Sequence, residues 1–179
     1  MFAGWDSYFL LAGGAAGALI GLLFVVESLG TGLDRTERLR GASIYVSPIV
    51  FHFAMVVVLS AAALAPRLPP TPLAAIFGLC AAVGAVHLGW VTWRIASPNT
   101  PAAPHWSDVW CYGAAPLLLY LALAGCAAGV LAGLGWAPYA VAANTLALLL
   151  IGVRNAWDLV TWLAPSGSAG ESQPAADRG

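Results

Sequence analysis

Lysine does not occur in this chain, and between Val109 and Val153 neither do aspartate, glutamate and arginine. That uncharged run is 45 residues long. A helix needs only about 20 apolar residues to cross a bilayer, and a single helix of this length would overshoot a hydrocarbon core of roughly 30 Å more than twofold. The run must therefore turn back once, and Gly133-Leu134-Gly135-Trp136-Ala137-Pro138 holds its only cluster of breakers. Charged residues make up 8% of the chain, against roughly 25% in soluble domains. Seven arginines and eight acidic residues leave a net charge of −1, which excludes a clustered basic face for nucleic acid. Cys80, Cys111 and Cys126 stand singly among apolar residues, in no metal-ligand spacing, and read as small hydrophobes. The N-terminus lacks the positive segment of a signal peptide, so the first apolar run reads as a retained span. No nucleophile–base motif, phosphate-binding loop or acidic metal cluster occurs. No catalytic residue is assigned, and enzymatic activity is not expected.

What is present is an all-α, polytopic membrane protein: a bundle of five transmembrane helices over residues 1–163, followed by a disordered cytoplasmic tail over 164–179. The spans fall at about 8–29, 42–64, 73–95, 109–134 and 139–163. Asp6 or Ser7 can cap the first and Gly30-Thr31-Gly32 can end it; Thr71-Pro72 and Ser107-Asp108 read as starts of the third and fourth, and Pro138 suits the first turn of the fifth. Arg35, Arg38, Arg40, Arg94 and Arg178 fall on one side, with Arg154 nearest it, and Arg67 stands alone on the other. The positive-inside rule then places the N-terminus outside and the C-terminus in the cytoplasm. Trp5 and Trp136 mark the outer interface; Trp93, Trp106, Trp110 and Trp162 mark the inner one. Residues 97–107 form a proline-containing cytoplasmic loop.

Lipid tails are as apolar as leucine, so helices in a bilayer associate through close backbone contact at small residues. Gly13, Gly17 and Gly21 step along the first span, and Gly125, Gly129 and Gly133 along the fourth. These rows are expected to serve helix packing, either against each other or as a glycine-zipper seam between protomers of a homo-oligomer or with a membrane partner subunit.

Ionisable residues inside the bilayer cost about 2.5–3.5 kcal/mol on insertion scales and are functional candidates by default. Here they gather in the cytoplasmic half: His52, His87, Arg154 and Asn155, with Asp158 and Glu27 nearer the edge. Arg154 and Asp158, spaced i,i+4, can pair on one face, with Glu27 as an alternative partner. Asn144, Asn155 and Asp158 form a polar stripe on the fifth span. Cys80, Gly84 and His87 share a face of the third. A structural reading makes these residues interhelical bonds and ion pairs. A sharper one makes Asn144, Arg154, Asn155, Asp158, Glu27 and His87 the lining of a channel-like conduit for an ion or small solute. A third has His52 and His87, at matched depth on separate helices, ligating a b-type haem.

Ala12–Val25, ending Gly21-Leu22-Leu23-Phe24-Val25, together with Leu39-Arg40-Gly41-Ala42 and Asn155-Ala156-Trp157, resembles a widespread family of small, functionally uncharacterised five-helix bacterial inner-membrane proteins. The resemblance implies a multi-pass protein of the bacterial inner membrane and no particular activity or cofactor. The residues lead to a channel-like or transport-associated protein first, and to a non-catalytic accessory or structural subunit second.

Overall fold

The computed structural model describes residues 1–29, 47–96 and 109–163, and among them every regular element is helical. α1 spans Asp6–Leu29, α2 Ser47–Leu64 and α3 Pro70–Ala96; a π-helical turn, Val109–Ala114, runs into α4, Ala115–Leu131; and α5 spans Ala137–Leu163. Four of these are long and apolar enough to cross a membrane, over Asp6–Val26, Pro70–Trp93, Trp110–Leu131 and Ala137–Leu159. This is the build of a multi-pass membrane protein. The apolar stretch of α2, Pro48–Leu64, is shorter; the first five residues of the expected second span, 42–46, lie outside the described residues. So do Arg35, Arg38, Arg40, Trp106, the expected caps at Gly30–Gly32 and Ser107-Asp108, the 97–107 loop and the 164–179 tail.

α1 and α5 start two residues ahead of the sequence reading, at Asp6 and Ala137, and two larger differences have a local cause. α3 starts at Pro70, ahead of Thr71-Pro72, because both prolines fit a first turn whose N–H groups have no partner within the helix. α4 stops at Leu131 rather than Leu134. Gly133 has a φ of 69°, and the Gly133 and Leu134 amides donate back to the Val130 and Gly129 carbonyls at 3.1 and 3.0 Å. That pair of bonds is a Schellman cap, which needs the left-handed backbone that glycine adopts without penalty.

The helices pack as two hairpins, α1 on α2 and α3 on α4, with α5 laid against α2, α4 and α1. At one end Trp5 meets Tyr139 edge-on, ring centroids 4.9 Å apart, and Phe2 packs against Phe9 and Phe77. Trp93, Trp110 and Trp157 are exposed toward the other. Phe9, Ile49, Phe53, Val56, Leu59, Phe77, Leu88, Leu123 and Leu148 fill the centre, yet Leu10, Leu11, Phe24, Leu79, Val86, Leu121 and Leu150 point outward. A surface this apolar suits lipid, where no hydrophobic force demands burial.

The π-helical turn has a local cause. Pro116 lacks the N–H that would bond the Tyr112 carbonyl in a regular helix, so the pattern widens ahead of it. On one side Gly113 lies so close to α3 that a Cβ would come within 2.7 Å of the Thr92 hydroxyl. On the other, α5 supplies bonds to the turn.

Candidate functional site

Three polar assemblies lie inside the bundle. The first ties α5 to the π-helical turn. Asn155, fully buried, donates through Nδ2 to the Cys111 carbonyl, and Tyr112 Oη donates to the Asn155 carbonyl, both at 3.1 Å. Arg154 Nη1 donates to Asn155 Oδ1 at 3.2 Å and lies 3.2 Å from Asp158 Oδ2. The expected i,i+4 pair is therefore formed, but both partners are more than 40% exposed, on the flank of α5. Asn155 works as a clamp, with both its Nδ2 and its Oδ1 bonded. Glu27 is helical, and its side chain lies outside the described set.

The second assembly is at mid-bundle, where α2, α3 and α4 converge. His52 is fully buried, its Nδ1 3.1 Å from the Tyr120 hydroxyl, with the two rings stacked at 5.8 Å. Phe51 touches this pair and also lies against His87, centroids 4.5 Å apart. Tyr120 fits because residue 84 is glycine; any Cβ there would clash with its ring carbons. The Cys80–Gly84–His87 face thus turns toward α4. Nε2 of His52 and Nε2 of His87 are buried without a hydrogen-bond partner. The two imidazoles come from different helices and share Phe51 as a neighbour. Among the described residues no group of three or more His, Cys, Asp or Glu gathers as a metal site.

The third lies in the seam of α1, α2 and α5, toward the Trp5 end. Tyr8 Oη donates to the Ala142 carbonyl at 2.6 Å. A Cβ on Gly13 would be 2.9 Å from Cβ of Ser60. Gly152 of α5 receives the ring of Phe53 from α2, a Cβ there meeting it at 2.7 Å. From that contact, Ser60 lies about two turns toward the Trp5 end on α2, and Asn144 slightly more on antiparallel α5. They share a depth. Both are buried, and Ser60 Oγ and Asn144 Nδ2 have no partner. Neighbouring Thr145 satisfies itself on the Val141 carbonyl at 2.8 Å.

The glycine rows do not meet. α1 packs on α2 and α5, α4 on α3 and α5. Of the first row only Gly13 is in contact, with Ser60, while Gly17 and Gly21 have open space; Gly125 is open, Gly129 takes the edge of the Trp136 ring, and Gly133 caps α4. Compared with known proteins, the chain matches no family model, no curated protein and no solved structure.

Tyr8, Ser60, Tyr112 and Tyr120 were not singled out by the sequence reading. Hydroxyls are common in apolar helices and cost little to insert, so they stand out less than His or Arg. Tyr120 carries one usable signal: it is the tyrosine near the middle of the expected fourth span, 109–134, and a buried phenol needs a partner.

Proposed function

We propose that this is a transport-associated membrane protein whose polar path runs inside the helix bundle. The observation that supports it is the set of four buried, unpartnered polar atoms within the helices: Ser60 Oγ and Asn144 Nδ2 at one depth, His52 Nε2 and His87 Nε2 deeper. Each such group costs free energy in a bilayer interior unless something bonds it, and internal water is the ordinary partner. Asn155 and Arg154 continue the polar trend toward the Trp110 end. The conduit differs from one lined by the α5 stripe alone, since α2 contributes half of it. In this reading the N-terminus is outside, the C-terminus is cytoplasmic and the membrane is a bacterial inner membrane; a C-terminal alkaline phosphatase fusion is inactive and one at Arg67 active.

The test is flux into proteoliposomes, with protons, monovalent ions and small neutral solutes assayed separately. At least one species should exceed protein-free liposomes, and Asn144→Leu at equal incorporation should lower that flux at least fivefold. Liposomes no leakier than the protein-free control for every species would overturn the reading.

A second reading, an accessory or structural subunit that assembles with itself or a partner, is favoured by α1. Only 22% of its span is buried, against 44% of α5, and Gly14, Gly17 and Gly21 on its exposed side have nothing near them. Small residues on an open helix face permit close helix association. Cysteine cross-linking along that face distinguishes it.

A further inference from the structure

Around His52, Ser60 and Asn144 the interior is otherwise apolar, and His87 lies at its edge, half-buried beside Val83, Val86 and Trp90. Phe53, Val56, Leu59, Leu148 and Tyr120 are all fully buried in that interior. No carboxylate is among the buried residues of the described core, whose polar side chains are His52, Ser60, Asn144, Thr145 and Asn155. A metal ion or halide entering such a space would shed its hydration shell and find no ring of carbonyls or charges to replace it. A proton needs no such ring. It passes along hydrogen-bonded waters by exchange of bonds, and the only room it requires is for single waters between groups that can both donate and accept.

His52 has the geometry for such an exchange. Its Nδ1 is held by the Tyr120 hydroxyl at 3.1 Å, and stacking on the Tyr120 ring fixes the plane of the imidazole. With Nδ1–H donating to Tyr120 Oη, the lone pair of the buried Nε2 is left without a hydrogen-bonding group of the protein. His87 presents a second unpartnered Nε2, and Phe51 is a neighbour of both imidazoles. Tyr120 of α4 and His87 of α3 are the titratable groups beside His52, and Cys80 of α3 lies near Tyr120.

We propose that the species moved through the bundle is the proton, relayed by water at Nε2 of His52, with Tyr120 as the residue that positions the imidazole; this rests on the transport reading above. Nε2 takes a proton from a hydronium ion, which leaves as water, and the ring becomes an imidazolium. The imidazolium then turns about its side-chain bonds and gives the same proton to a water on the other side, restoring the neutral ring and a hydronium. No bond other than N–H and O–H changes, and no electron is transferred. By accepting from Nδ1–H, Tyr120 Oη returns the ring after each transfer to the tautomer and orientation with Nε2 free.

The test uses the full-length protein in liposomes carrying a trapped pH-sensitive dye, with a potassium diffusion potential set by valinomycin as the driving force. Wild type should acidify the lumen at least tenfold faster than protein-free liposomes, with sodium and chloride flux at the protein-free level. His52→Gln should abolish the proton flux. Tyr120→Phe, which keeps the ring and its packing against Gly84, should lower it several-fold while the protein remains monodisperse with an unchanged melting temperature to within a few degrees. Proton flux unchanged in both folded variants overturns the relay. Flux of a monovalent ion or neutral solute without proton flux overturns the relay and leaves the transport reading standing; flux of nothing overturns both.

Discussion

The two hairpins of the bundle use glycine in opposite ways. Along α3–α4, Gly84 lies under the Tyr120 ring and Gly113 against the Thr92 hydroxyl, so a partner fills the space at both, while Gly78, Gly89 and Gly125 are open. Along α1–α2, Gly13 alone meets a neighbour, Ser60, while Gly17 and Gly21 continue the same regular row into open space. A row of glycines at four-residue spacing is thus not where this protomer packs most tightly. The tight places are single glycines opposite a neighbour's side chain: Gly84 and Gly113 along α3–α4, against Gly13 alone along α1–α2. The difference is one of purpose: an isolated glycine accommodates a neighbour already present, whereas an uncovered row leaves a helix face on which another helix could close.

The sharpest way to break this comparison is to place the same side chain in both hairpins. Gly84→Leu must displace Tyr120, and with it the His52 bond, so it is expected to cost about 3 kcal/mol, the upper end for overpacking, or to prevent folding. Gly17→Leu should leave the unfolding midpoint in detergent within about 0.5 kcal/mol of wild type. Equal losses in the two variants would mean that the open α1 face is covered in the native protein. A fall in oligomer size for Gly17→Leu alone would identify the cover as another helix.

Next in size is Asn155→Leu. It strips the Cys111 carbonyl of its donor and Arg154 of an acceptor, and a buried carbonyl left unbonded costs about 2 kcal/mol. Amide exchange should rise first in the π-helical turn, which Asn155 and Tyr112 tie to α5. Protection lost uniformly over the bundle would show that the turn is not a separate element.

Gly152→Ala asks whether the α2–α5 contact resembles the α3–α4 seam. The added methyl would meet the far edge of Phe53 at 2.7 Å, and a ring can shift by tenths of an ångström. The expected loss is about 1 kcal/mol, readable as a shift of a few degrees in thermal unfolding.

Asp158→Asn should have the smallest effect. Its pairing with Arg154 is more than 40% exposed on both sides, and such pairs are worth about 0.5 kcal/mol or less in water. A loss several times larger would mean that this end of α5 is buried in lipid or in a partner.

Much of the architecture was legible in the chain because it depends on bulk transfer energetics. The uncharged run from Val109 to Val153 required two helices and one turn, and Gly133 supplies that turn at a conformation few other residues tolerate. The i,i+4 spacing of Arg154 and Asp158 was enough to predict their pairing, because helix geometry alone brings them together. The Cys80–Gly84–His87 face was legible for the same reason.

What sequence could not decide is which helix stands opposite which. Periodicity tells how residues are arranged around one helix axis; it carries no information on the rotation of the next helix, and in an apolar chain no hydrophobic stripe breaks the degeneracy. That His52 would find Tyr120, 68 residues away, rather than His87, was settled only by the space at Gly84 that lets the tyrosine ring in. That Asn144 would share its depth with Ser60, and Asn155 reach the backbone of Cys111, depended on how α5 is laid across both hairpins. Composition and local spacing determined that the chain forms apolar helices, where one of them turns back and which pairs close within one helix. The partners of its buried polar atoms are a property of the tertiary packing, because a hydrogen bond between helices needs both groups at the same depth and facing, and only the assembled bundle sets those two conditions.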